Sequence, residues 1–210
     1  MLKQFQTLGS LVRAAVCDPK ELEIIAGALK RDRGQPSPCV LRGVFTWSQE
    51  RGRIVAPNGK LIRVGKIINS GKSQNGNANV GINSFLGVNY HADTQITDWY
   101  LGMINNAGYS ALAAGDTMGS HAGWAEFTAY SEAARPTWSP GAAAGQAISN
   151  SAVRDFTITG AAATLQGVFL TSVATKGGTT GVLNSTTLFA TPIPVVAADV
   201  IHVTYSITGS

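Results

Sequence analysis

Charge is what this sequence has least of. Asp, Glu, Lys and Arg make up 13% of its 210 residues, against roughly 25% in an average soluble domain. The hydrophobic fraction is an ordinary 44%, so Gly, Ala, Ser, Thr and Asn fill the deficit. Disordered chains combine low hydrophobicity with high charge, and that reading is excluded. Cysteine is scarce as well: Cys17 and Cys39 are the two present, with no CxxC pair or Cys/His cluster to suggest zinc. Two buried free thiols in a chain made in a reducing cytoplasm fit better than a bridge. Long apolar runs are missing too. No window approaches the ~18 apolar residues of a membrane-spanning helix, and Met1-Leu2-Lys3-Gln4-Phe5-Gln6 lacks the unbroken apolar region of a leader. Neither secretion by a signal peptide nor a membrane span is expected.

The charge that is present is unevenly placed. Residues 1–66 hold 12 Lys/Arg and 5 Asp/Glu, a balance of +7, whereas residues 67–210 hold 4 and 7, a balance of −3. The two parts must have different neighbours. A basic segment suits nucleic acid, an acidic protein surface or anionic lipid, and charge alone does not choose among them. A solvated or protein-docked surface is preferred for residues 1–66, with nucleic-acid contact as the alternative.

One helix is announced clearly. Asp18 stands at an N-cap, Pro19 at the first helical position and Glu21 at the third, an arrangement that satisfies orphan backbone N–H groups. Leu22, Ile25 and Leu29 form an apolar stripe; Lys30, Arg31 and Arg33 suit the C-terminal end of the dipole, and Gly34, Pro36 and Pro38 stop it. Leu11 to Val16 suggests a preceding helical turn. This small amphipathic unit needs a partner for its apolar face, in the same chain or in another.

After Pro38 the period changes to two. Strands are expected at Val40–Trp47, Arg53–Val55 and Lys60–Ile68, with a turn at Pro57-Asn58-Gly59 and a Gly/Ser/Asn-rich loop over Asn69–Asn79. Residues 80–87 fit a helix or a strand equally. Further strands are expected at Ile96–Ile104, Ala122–Tyr130, Ala152–Thr159, Thr164–Thr171, Thr187–Ala190 and Val200–Ile207. Short strands at this spacing, without helical periodicity between them, predict a mainly β fold: a β-sandwich or jelly-roll-like domain with a short N-terminal helical segment. The expected organisation is a helical attachment segment at 1–38, a β-hairpin and loop region at 39–90 and a β-sandwich domain at 91–210.

Little in the sequence points to chemistry. Gly71-Lys72-Ser73 lacks the glycine five positions earlier that a phosphate loop needs. His91, Asp93 and Asp98 offer a base or metal ligands, yet at a spacing that fits no zinc or hydrolase template; a wall hydrolase built on them is a remote alternative. His121 and His202 read as structural or surface histidines. There is no GxSxG elbow, and the acids after residue 66 form no obvious pair for glycoside hydrolysis. No catalytic residue, cofactor or metal is expected. Trp99, Tyr100, Trp124, Tyr130 and Trp138 could line a carbohydrate-binding face, but beside Leu101, Met103 and Phe127 they read more readily as core.

The most distinctive segments are Trp99-Tyr100-Leu101-Gly102; Ala114-Gly115-Asp116-Thr117-Met118-Gly119-Ser120-His121-Ala122-Gly123-Trp124-Ala125-Glu126; Arg135-Pro136-Thr137-Trp138; Phe169-Leu170-Thr171-Ser172; and Thr175-Lys176-Gly177-Gly178-Thr179-Thr180-Gly181. Together they resemble a widespread group of small virion proteins of tailed bacteriophages, associated with head decoration, fibres or tails. The resemblance covers about residues 95–210, with a weaker echo at 40–90. It implies a β-sandwich particle component without a catalytic role, located in the virion after synthesis in the host cytoplasm. The implied partners are other virion proteins and further copies of itself, with a trimer as the expected form, and not a membrane. A receptor- or glycan-binding tail appendage is the alternative. The group often has Gly-Asp where this chain has Ala198-Asp199, a change expected to matter little. The unit at 1–38 is not a feature of the group and reads as this chain's own attachment device.

Physically, the motif residues read as structure. Gly102 and Gly123 suit close backbone approach or a bulge. Asp116, Thr117 and Ser120 can hold a long turn by bonding nearby N–H groups. Arg135 is expected to pair with an acid such as Asp116 or Glu126, and Lys176-Gly177-Gly178 to form a tight surface turn.

Overall fold

The computed structural model describes residues 41–209. The expected helix carrying Asp18, Glu21, Leu22, Ile25 and Leu29 lies outside the described residues, as do Cys17 and Cys39. Within 41–209 the chain is mainly β: two antiparallel sheets of five and six strands, a separate two-stranded ribbon, and one short helix that is not N-terminal.

The first sheet runs β10 (Arg154–Thr157), β13 (Val200–Gly209), β1 (Leu41–Arg51) and β4 (Lys66–Gln74), with β9 (Ala147–Ser149) also on β13. The second runs β5 (Gly76–Asn77), β12 (Leu183–Val195), β11 (Ala163–Thr171), β6 (Trp99–Asn105) and β7 (Ala125–Phe127), with β8 (Thr137–Trp138) also on β6. The ribbon is β2 (Ile54–Val55) with β3 (Leu61–Arg63), and the helix is α1 (Asn79–Tyr90). Strands from both sides of residue 90 therefore share each sheet.

The two sheets contribute to one core. Alternation points Phe45 and Trp47 of β1 and Ile201, Val203 and Tyr205 of β13 the same way, where they meet Leu101, Met103, Leu165, Leu170 and Phe189 of the second sheet. Trp47 touches Phe189 with ring centroids 4.7 Å apart, and Phe45 stacks on its register partner Tyr205 at 4.1 Å. The second sheet is covered on its other face as well. Ile104, Phe169 and Leu183 pack there with Ala78, Met118 and Trp124, so β11 is buried without interruption from Gly167 to Thr171, as strands covered on both faces are.

The expected strands at Ile96–Ile104, Ala152–Thr159, Thr164–Thr171 and Val200–Ile207 correspond to β6, β10, β11 and β13. Four expectations need correction. Lys60–Ile68 is broken rather than continuous, because the Gly65 N–H is caught by Glu50 Oε1 at 2.5 Å. Most of the expected loop over 69–79 is strand: a Cβ at Gly71 would come within 2.8 Å of Trp47, so the bare glycine lets the indole lie on β4. Ala122–Tyr130 shrinks to β7, because His121–Trp124 is a turn closed by a 3.3 Å backbone bond. Thr187–Ala190 is only the centre of β12, which continues through Pro192 and Pro194 because β5 pairs only Ser185 and Thr186, leaving the far half of that edge open. Residues 80–87 are helical.

Candidate functional site

Three of the distinctive sequence segments, carrying Glu126, Arg135 and Lys176–Gly178, converge on one charged clamp. Arg135 is fully buried and lies bidentate on Glu126 of β7, Nε to Oε1 at 2.9 Å and Nη2 to Oε2 at 2.7 Å. Its remaining donors reach the carbonyls of Val173 at 2.7 Å and Gly178 at 3.2 Å, while Glu126 Oε2 also accepts the Gly177 N–H at 2.7 Å. Lys176 extends over the Tyr130 ring, 4.2 Å from its centroid, and donates to the Tyr130 carbonyl at 2.9 Å. The Lys176-Gly177-Gly178 turn is thus fastened at both ends, with Gly177 at φ +67°. Every polar atom of Arg135 that makes a bond is directed at Glu126 or at backbone.

A second part of the motif holds the long turn between β6 and β7. Asp116 Oδ2 accepts the Ala113 N–H at 2.9 Å and the Trp124 indole N–H at 3.0 Å. Thr117 Oγ1 accepts the Ser120 N–H at 3.0 Å, and the His121 ring stacks on Trp124 at 4.0 Å with Nδ1 2.9 Å from the Trp124 carbonyl oxygen. Gly123 is required because a Cβ would overlap the Ala111 carbonyl. Gly102 is required because a Cβ would enter the Phe169 ring, which is itself covered by Trp124 and the Arg135 guanidinium. Trp124, Tyr130 and Trp138 are buried, with the Trp138 indole donating to the Tyr205 carbonyl at 3.0 Å; Trp99 and Tyr100 are half-buried.

Two polar clusters were not legible in the sequence. In the first, His202 of β13 places Nδ1 2.7 Å from Asp155 Oδ1 and Nε2 2.9 Å from Glu50 Oε2, and Arg53 Nη2 binds the same Glu50 oxygen at 2.5 Å. The hydrogen bond from Arg53, then those from the Gly65 N–H and His202, outweigh burial and bring the Glu50 carboxyl down to about 2. The hydrogen bond to Asp155 holds His202 above its ordinary value, and His202 in turn holds Asp155 below its own. When protonated, an imidazole between two carboxylates donates from both nitrogens, which is the arrangement these two distances suit. The members come from β1, the β1–β2 link, β10 and β13, and no local spacing marks them.

In the second cluster, the buried Asp199 receives Arg51 through Nε and Nη2, both at 2.7 Å, Gln49 Nε2 at 2.8 Å and the Val196 N–H at 3.1 Å. Burial pushes the Asp199 carboxyl up, but these hydrogen bonds prevail and leave it below its ordinary value. The tight turn that delivers Asp199 holds Ala198 at φ +68°, in the left-handed region where a Cβ is strained. The Ala198-Asp199 pair, expected to matter little, therefore stands where glycine would be unstrained.

His91 and Asp93 do meet, at 3.0 Å, on a largely exposed surface, whereas Asp98, among the described residues, accepts a hydrogen bond from Thr97 alone. Among the described residues no three His, Cys, Asp or Glu side chains gather to hold a metal. Gly71-Lys72-Ser73 lies within antiparallel β4. The described helix is too short to cross a membrane. A groove between α1 and the sheets is lined by Trp99 and Phe85 together with Asn89, Gln95 and Asn184. No family model, curated protein or solved structure matches the chain.

Proposed function

We propose that this chain is a non-enzymatic structural protein of a tailed-bacteriophage particle. In this reading it is a sandwich or jelly-roll-like module that decorates or extends the head or tail through contacts with other virion proteins and with copies of itself. The observation that carries the proposal is the use made of the motif residues. Asp116, Glu126, Arg135 and Lys176 spend their polar atoms on bracing loops to the sheets, which is what a rigid display module requires and an active site does not. Low overall charge favours extensive protein contact. Residues 1–38, with their sequence-encoded amphipathic stripe, supply attachment. Quantitative mass spectrometry of purified particles is expected to find the chain at a fixed ratio to the major shell or tail protein; its absence from intact particles would overturn the reading.

A second reading is favoured by the groove at Trp99. An aromatic face beside the side-chain amides of Asn89, Gln95 and Asn184 is a combination that recognises sugars. In that case the full chain binds a glycan panel, and Trp99→Ala abolishes the signal.

A further inference from the structure

Two apolar surfaces of opposite charge lie at opposite ends of the sheets. The first is the β2–β3 ribbon with the start of β4, which exposes Ile54, Leu61, Ile62 at 66%, Val64 at 71% and Ile67. A two-stranded ribbon with apolar side chains in water on both faces is marginal by itself. Lys60, Arg63 and Lys66 surround it, and none of the three meets a carboxylate among the described residues. The second surface is the outer face of α1. Ile82 and Leu86 fall at i and i+4, followed by Tyr90 at 81% exposure, with Phe85 at the rim of the groove toward Trp99, while the face turned to the sheets sets Gly81 against the Asn184 backbone. A helix apolar on both faces is normally covered on both. Asp93 stands beside it, its N–H bonded to the Gly87 carbonyl, Asp98 follows in the segment whose Gln95, Ile96 and Trp99 line the groove along the helix, and from Ser73 to Ala134 the sequence contains no Lys or Arg at all.

The register places these surfaces apart. The ribbon leaves β1 at Arg51, whereas the α1 groove includes Ile207, the partner of Gly43. The intervening eight residues of β1 span about 26 Å at ~3.3 Å per residue. The two surfaces therefore cannot cover each other within one molecule.

We propose that they cover each other between molecules: the basic ribbon of one copy docks on the apolar outer face of α1 and the acidic segment that follows it in the next, a heterologous head-to-tail contact. Its place in a particle rests on the function proposed above; the contact itself rests on the complementarity of the two surfaces. Like charges argue against a ribbon meeting a ribbon, and the apolar centre with a charged rim is the anatomy of a protein interface.

The test is sedimentation velocity of the full chain across a range of concentrations at low and high salt. Self-association is expected at low salt and should weaken as salt rises. Lys60→Glu with Lys66→Glu, and separately Asp93→Lys with Asp98→Lys, should each weaken it by at least about tenfold. Mixing the two variants should restore it, because each then offers the other one unaltered and one exchanged joint; restoration also shows that both are folded. Should charge reversal prevent folding, the Gln and Asn replacements at the same positions should give a smaller loss in the same direction. A chain that stays monomeric at all concentrations, an association weakened by only one of the variants, or a mixture that fails to recover would overturn the contact. A monomer in solution leaves the particle assignment standing, and absence from particles leaves the contact standing, so the two failures are distinguishable.

Discussion

Arg135 and Glu126 form a bidentate ion pair from which water is excluded: the arginine side chain has no exposed surface and the glutamate 5%. Removing one partner strands the other charge in a dry site. Glu126→Ala is therefore expected to cost ~3–5 kcal/mol in urea unfolding. Glu126→Leu with Arg135→Met should recover part of that loss, since two apolar side chains leave no uncompensated charge but release the Val173 and Gly178 carbonyls and the Gly177 N–H. A single-variant loss under ~1 kcal/mol would mean that water reaches the pair.

The Glu50, Asp155, Arg53 and His202 cluster predicts a stability optimum in pH. Glu50 is lowered from 4.5 to about 2, so its contribution is whole above 4.5 and is lost as pH falls through 2. His202 is raised above 6.5, so its contribution is whole below 6.5 and is lost as pH rises through the elevated native value. The cluster should stabilise most between these limits. Melting temperatures recorded against pH should show this, and His202→Gln should flatten the alkaline side while leaving the acid side sloping.

Ala198→Gly is expected to stabilise the chain by about 1 kcal/mol, because it relieves the left-handed backbone at Ala198. Chemical denaturation of the two forms measures this directly. A neutral or destabilising result would mean that the turn relaxes without cost in the native chain.

Gly102→Ala should be costly although it adds a single methyl. Phe169 cannot step aside, being held between Trp124 at 5.2 Å and Arg135 at 5.4 Å. A loss of ~1–3 kcal/mol is expected by calorimetry. An unchanged melting temperature would show that the sheet spreads to admit the methyl.

How much was legible can be judged from particular residues. Val203 and Tyr205 alternate with His202, Thr204 and Ser206, and that alternation is enough to mark β13 as a half-buried strand. The pairing of Arg135 with Glu126 was also accessible, because basic residues are rare after residue 66 and nearby acids are few. β8 and β9 were not accessible: with two and three residues they are too short to carry a period. Gly71 and Pro192 misled for a related reason. Both are ordinarily loop residues, and both sit in strands because of what a neighbouring chain segment does or does not place beside them.

The sequence alone determined the mainly β character, the scarcity of charge and its division between a basic front and an acidic remainder, since composition and two-residue periodicity are local properties. The tertiary structure decided which charges became partners. Glu50 reaches His202 across 152 positions, and Gln49 reaches Asp199 across 150. Sheet register creates those distances, and register depends on side chains from both strands at once. The same holds for the two apolar ends. Exposure at Ile62 and Tyr90 belongs to the assembled sheets, because a side chain is buried or bare only with respect to what the rest of the chain brings near it.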